Sequence, residues 1–104
     1  MIDIECLQQA RELVKRGWCQ HALAIDENGD QTTPESANTV AWCPRGALYA
    51  QYPKATRAVI ISCAVRFLEA AGPYLSIERW NDQKWRTKKQ VLLAFSRAIE
   101  QIRE

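Results

Sequence analysis

Glycine and proline are scarce in this chain, four of each among 104 residues, and there is one histidine and one methionine. So little glycine and proline, with no internal repeat or low-complexity stretch, excludes fibrous and linker-like classes. No glycine-rich loop is present to cradle phosphates. His-Glu-x-x-His and Gly-x-Ser-x-Gly, which would mark a zinc protease or a serine hydrolase, are missing too. The four cysteines contain no Cys-x-x-Cys pair, the usual spacing of a structural zinc site. The longest apolar run, residues 58–65, is broken by Ser62 and closed by Arg66. It is far short of the ~20 residues that cross a bilayer. The opening, MIDIECLQQARELVKRG, has acids where a secretory leader has bases, so no export signal is expected. A cytoplasmic protein with reduced thiols and no membrane partner is the corresponding expectation.

What remains is an ordinary globular composition, 47% hydrophobic and 25% charged. The length suits one domain spanning residues 1–104, large enough for a core without metal or disulfide staples. Net charge is only +2, but it is unevenly spread. Residues 1–52 hold four Lys/Arg against seven Asp/Glu, and residues 53–104 hold ten against five, giving −3 and +5. Arg79, Lys84, Arg86, Lys88 and Lys89 concentrate that excess.

Apolar spacing predicts a mainly α fold, a compact four-helix domain with a small β-hairpin or irregular element near residues 22–33. Cys6, Leu7, Ala10, Leu13 and Val14 recur at helical spacing from about Asp3 to Arg16. Gly17 follows as an expected left-handed C-cap. Asn28-Gly29 signals a tight turn. A second helix is expected from Ala37 to Tyr49 or Ala50, capped by Ser36. Pro44 should kink or restart it near Cys43, and Gly46 should let another helix approach closely. The third helix, from about Ala55 to Ala71, is apolar on most sides and reads as the buried centre, ended by Gly72-Pro73. One short turn is expected after Ser76. Thr87-Lys-Lys-Gln90 has the form of a capping box for the last helix. Val91, Leu92, Phe95, Ala98, Ile99 and Ile102 form that helix's apolar face.

Asp26-x-Asn28-x-Asp30 opens like a calcium loop, but Gln31 stands where glycine is needed and Ala37 where a bidentate glutamate is needed. Cys6 and Cys63 fall on apolar faces and read as small hydrophobes. Cys43 or Cys19 with His21, and Asn81 or Asp82 as orienting group, supply the residue types of a thiol enzyme or a zinc site without its spacing. The densest group is Trp80, Asn81, Asp82, Trp85 and Arg86, within residues 80–87. A structural account makes Trp80 a core plug and Asp82 a partner of Arg86 or of the next helix start. A functional account makes the group a recognition surface, because Trp and Arg dominate binding hot spots.

Gly17-Trp18-Cys19-Gln20, Ala41-Trp42-Cys43 with Gly46-Ala47-Leu48, Trp80-Asn81-Asp82, Arg86-Thr87, Val91-Leu92 and Ala98-Ile99 resemble a family of small bacterial and phage proteins of unknown function. Trp85, where that family usually has a small residue, and Pro44 depart from its pattern. The resemblance implies a single cytoplasmic domain and no particular activity.

Three functional expectations follow. The first is a non-enzymatic binding module, such as a phage or host accessory or inhibitor protein. It would engage a protein partner or small ligand through Trp42, Cys43, Trp80, Asn81, Asp82, Trp85 and Arg86, with no cofactor and no metal. The second is nucleic-acid binding through the basic 79–89 segment. The third is a cysteine- or zinc-dependent enzyme using Cys43, Cys19 and His21.

Overall fold

The computed structural model describes residues 1–104, and its first helix is the one the apolar spacing predicts. Helix α1 runs Asp3–Arg16 and buries Cys6, Leu7, Ala10 and Val14. Asp3 and Glu5 lie in its first turn and Lys15 and Arg16 in its last, each sign complementing the helix dipole. Strands β1 (Ala24–Asp26) and β2 (Thr39–Trp42) come next. They are followed by helices α2 (Pro44–Tyr49), α3 (Arg57–Ala71), α4 (Ile77–Asn81) and α5 (Lys88–Arg103). The fold is mostly helical with a small antiparallel sheet, and it has five helices rather than four.

The additional helix is α4, where only a short turn after Ser76 was expected. A second difference lies in residues 37–50. Residues 39–42 are strand, paired antiparallel with β1 in the register Ala24↔Trp42, Ile25↔Ala41 and Asp26↔Thr39. Helix α2 begins only at Pro44. A residue before proline is driven out of the α region, and Cys43 is extended at φ −79°, ψ 167°. Pro44 then occupies the first helical position, where its missing N–H is no loss. The restart is real, but what precedes it is a strand. Ser36 does not cap a helix. Its hydroxyl accepts the Asn38 N–H inside a turn.

Nor is the sheet a hairpin within residues 22–33. The Asn28-Gly29 turn closes on Asp26, whose carboxylate accepts the Asn28 and Asp30 amides. Across it only an isolated bridge, Ile25 to Gln31, forms before the chain travels on to β2.

Helix α3 is not wrapped on all sides. Ile60, Cys63, Ala64 and Phe67 are buried, whereas Ile61 and Val65 are 63% and 51% exposed. The core lies between α1, α3 and α5, where Phe67 packs tilted on Phe95 and edge-on to Trp80. Cys6 and Cys63 are completely buried in it, as filler. The remaining boundary signals hold. The turn expected after Ser76 is helix α4, which Ser76 caps, and Thr87 with Gln90 forms a complete capping box on α5. Helix α3 is capped by Thr56, a residue the sequence reading did not single out.

Two glycines are required by close approach. Gly17 is extended, not left-handed, and a Cβ there would stand 2.0 Å from the Val40 carbonyl oxygen. At Gly46 it would stand 1.9 Å from the Leu23 carbonyl oxygen, so the neighbour is a loop backbone and not a helix. Gly29 needs its identity for conformation alone, with φ +81° and open space around it. Gly46→Ala should therefore lose about 3 kcal/mol or more, by overpacking against backbone that cannot move aside. Gly29→Ala should lose only about 1 kcal/mol. Urea denaturation of the two variants reads that contrast.

Candidate functional site

The loop from Gly17 to Leu23 has almost no regular structure, yet it is tied down residue by residue. Its backbone passes beside β2: Trp42 N–H donates to the Gly17 carbonyl and Cys19 N–H to the Trp42 carbonyl. Most of its side-chain-mediated partners come from the end of α4 and the two residues after it. The Trp18 indole N–H donates to Asn81 Oδ1 at 2.8 Å, and Asn81 Nδ2 donates to the Cys19 carbonyl at 3.1 Å. Gln20 Nε2 donates to the carbonyls of Asn81 and Gln83, at 2.7 and 2.9 Å. His21 N–H donates to Asp82 Oδ1 at 2.9 Å. Asn81, only 1% exposed, is thus satisfied at both ends of its carboxamide. The Gly-Trp-Cys-Gln and Trp-Asn-Asp elements are two halves of one clasp.

The clasp holds His21 at φ +67°, the chain's single non-glycine residue with positive φ. A side chain in that region costs roughly 1–2 kcal/mol and persists only where surrounding contacts enforce it. Its imidazole Nδ1 lies 3.8 Å from Asp82 Oδ2. Beside this pair is a cleft of about 380 Å³ lined by His21, Ala22, Leu23, Cys43, Arg45, Glu78, Asn81 and Asp82. Arg45 on α2 and Glu78 on α4 bridge it with an ion pair of 2.6 Å.

The predicted site residues divide into two groups. Cys43, Asn81 and Asp82 meet in the cleft. Trp80 and Trp42 are core residues, 3% and 5% exposed, and the Trp42 indole N–H is bonded to the Pro34 carbonyl. Arg86 lies 3.9 Å over the Trp80 ring and donates to the Trp80 carbonyl and Gln90 Oε1, so it braces the α4–α5 corner. Asp82 pairs with the His21 loop and not with Arg86. Trp85 is 67% exposed and is no part of the cleft lining.

Arg45 and Glu78 were not among the expected residues, and no local pattern links positions 33 apart. Trp18 and Gln20 did carry a signal, since they sit in the Gly-Trp-Cys-Gln element of the resemblance.

Cys19 and Cys43 pack together in a small buried cluster with Ala41. Burial, the neighbouring Cys43 thiol and the Asp82 carboxylate push the Cys19 thiol up to about 12. Burial also pushes Cys43 up, to about 11, against amide hydrogen bonds from Gly46 and Arg45 that favour the thiolate. A nucleophilic cysteine needs the opposite shift. No three His, Cys, Asp or Glu side chains gather closely enough to hold one metal ion, so Cys19, His21 and Cys43 do not form the zinc site considered for them.

The architecture is that of a small, mostly helical domain carrying a two-stranded sheet and a clasped surface loop. Residues 2–101 match the family of unknown function DUF6197, and the chain belongs to that family. No curated protein and no solved structure matches it significantly.

Two outcomes test this geometry. Asn81→Ala leaves a buried indole N–H and a carbonyl without partners and should lower stability by about 3 kcal/mol, read by urea unfolding. The raised thiols bind their protons more tightly folded than unfolded, where the ordinary value is 9.0. Their contribution is therefore complete below pH ~9 and declines as pH rises toward 11–12. Unfolding midpoints at pH 8 and pH 10.5 should fall less for Cys43→Ala than for the parent chain.

Proposed function

We propose that this domain is a non-enzymatic binding module that engages a protein partner or small ligand through the cleft between residues 21–23, the start of α2 and α4. The supporting observation is the strained His21 loop. A network of hydrogen bonds and an unfavourable backbone conformation are maintained at a surface whose rim carries Arg45, Glu78, Asp82 and His21. Strain of this kind gathers where a surface is shaped for recognition. The cleft has the dimensions of one inserted side chain or a small polar molecule. Trp85, three residues beyond Asp82 and exposed, is the remaining aromatic anchor of the predicted surface.

The other readings find less support. Trp80 and Arg86 are engaged with one another, which withdraws one aromatic and one cation from any nucleic-acid surface. The Cys19 and Cys43 thiols are protonated at neutral pH, which disfavours thiol chemistry.

Leu23→Glu and Trp85→Ala alter exposed side chains and should leave the unfolding midpoint within about 0.5 kcal/mol of the parent. Each should weaken a purified partner's affinity at least tenfold, measured by calorimetry. Unchanged affinity in both variants contradicts this assignment of the surface. Binding of DNA or RNA that weakens steeply with salt, and that Lys84→Ala with Lys89→Ala abolishes, would replace it with the nucleic-acid reading.

A further inference from the structure

A second concavity lies away from the clasp, where α2 turns into α3. It encloses about 660 Å³ and is lined by Tyr49, Tyr52, Ile60, Ile61, Arg57 and Glu35. Ile60 is buried, while Tyr49, Tyr52 and Ile61 are 41%, 52% and 63% exposed. Single exposed apolar side chains are normal, but three converging on one hollow of ligand size mark a binding surface.

Charge narrows the occupant. Arg57 and Glu35 both line the hollow, both are exposed, and neither makes an ion pair with any other residue, although four pairs form elsewhere. Arg57 is also the first residue of a 15-residue helix, whose dipole adds to the positive potential there. An apolar hollow flanked by one free cation and one free anion complements an apolar molecule bearing both charges.

We infer that this hollow binds a free α-amino acid with a large apolar or aromatic side chain. Its carboxylate faces Arg57, its ammonium faces Glu35, and its side chain lies against Tyr49, Tyr52 and Ile61. The site is separate from the cleft at His21 and does not rest on the function proposed for it.

Calorimetric titration with phenylalanine, leucine, glycine, N-acetylphenylalanine and phenylalaninamide tests the inference on the full chain. Phenylalanine and leucine should bind. Loss of the ammonium, the carboxylate or the apolar body should each weaken binding at least tenfold, about 1.4 kcal/mol. Arg57→Ala and Glu35→Ala should do the same, without changing the ligand-free unfolding midpoint. No binding of either free amino acid at millimolar concentration overturns the inference. Equal binding of the N-acetyl or amide derivative overturns it as well, as does undiminished affinity in both variants.

Discussion

The carboxamide of Asn81 joins two parts of the chain more than sixty residues apart. Through Oδ1 it accepts from Trp18, through Nδ2 it donates to the Cys19 carbonyl, and its main-chain carbonyl accepts from Gln20. A short loop between a helix and a three-residue strand buries too little apolar surface to order itself. Here directional polar bonds do that work. Because Asn81 is almost fully buried, each of those bonds stands in place of water that cannot return if it breaks.

Other constraints follow from that fixed loop. With residues 17–23 held against α4, their backbone lies so close to β2 and α2 that only glycine fits at positions 17 and 46. The extended Cys43 and the proline after it start α2 where Leu23 can pack over Gly46, and the Leu23 carbonyl accepts the Cys43 amide. His21 is carried into its unfavourable conformation by the same arrangement, and the cleft is the space left between these pieces. The hollow at Tyr49 and Tyr52 depends instead on the α2–α3 turn, so the domain presents two surfaces of independent origin.

Much of the fold was legible because it rests on local signals. Apolar spacing located α1 and α5, and Ser76 and Thr87 reported helix starts within a residue or two. Residues 37–42 misled because Thr39, Val40, Ala41 and Trp42 fit either period, and their strand partner lies beyond a turn and a loop. Gly17 and Gly46 were visible as necessary glycines, but the atoms that make them necessary belong to distant segments. The site was half legible. Cys43, Asn81 and Asp82 do meet, whereas Trp42, Trp80 and Arg86 stood out for packing reasons. Arg45 and Glu78 find each other only in three dimensions. Abundance of Trp and Arg therefore marked the corner of the fold that needed bracing, and the accessible chemistry lies next to it.

The central claim is that the Asn81 clasp orders the 17–23 loop without being part of the helical core. Native-state amide hydrogen exchange, comparing Asn81→Ala with the parent chain, tests it directly. The account predicts that protection falls first and furthest at Cys19, His21 and the β1–β2 pairing, while α1, α3 and α5 keep exchanging together through global unfolding. Loop amides that in Asn81→Ala still exchange only through the same global unfolding as the three core helices, with no lower-energy local opening of their own, would contradict it.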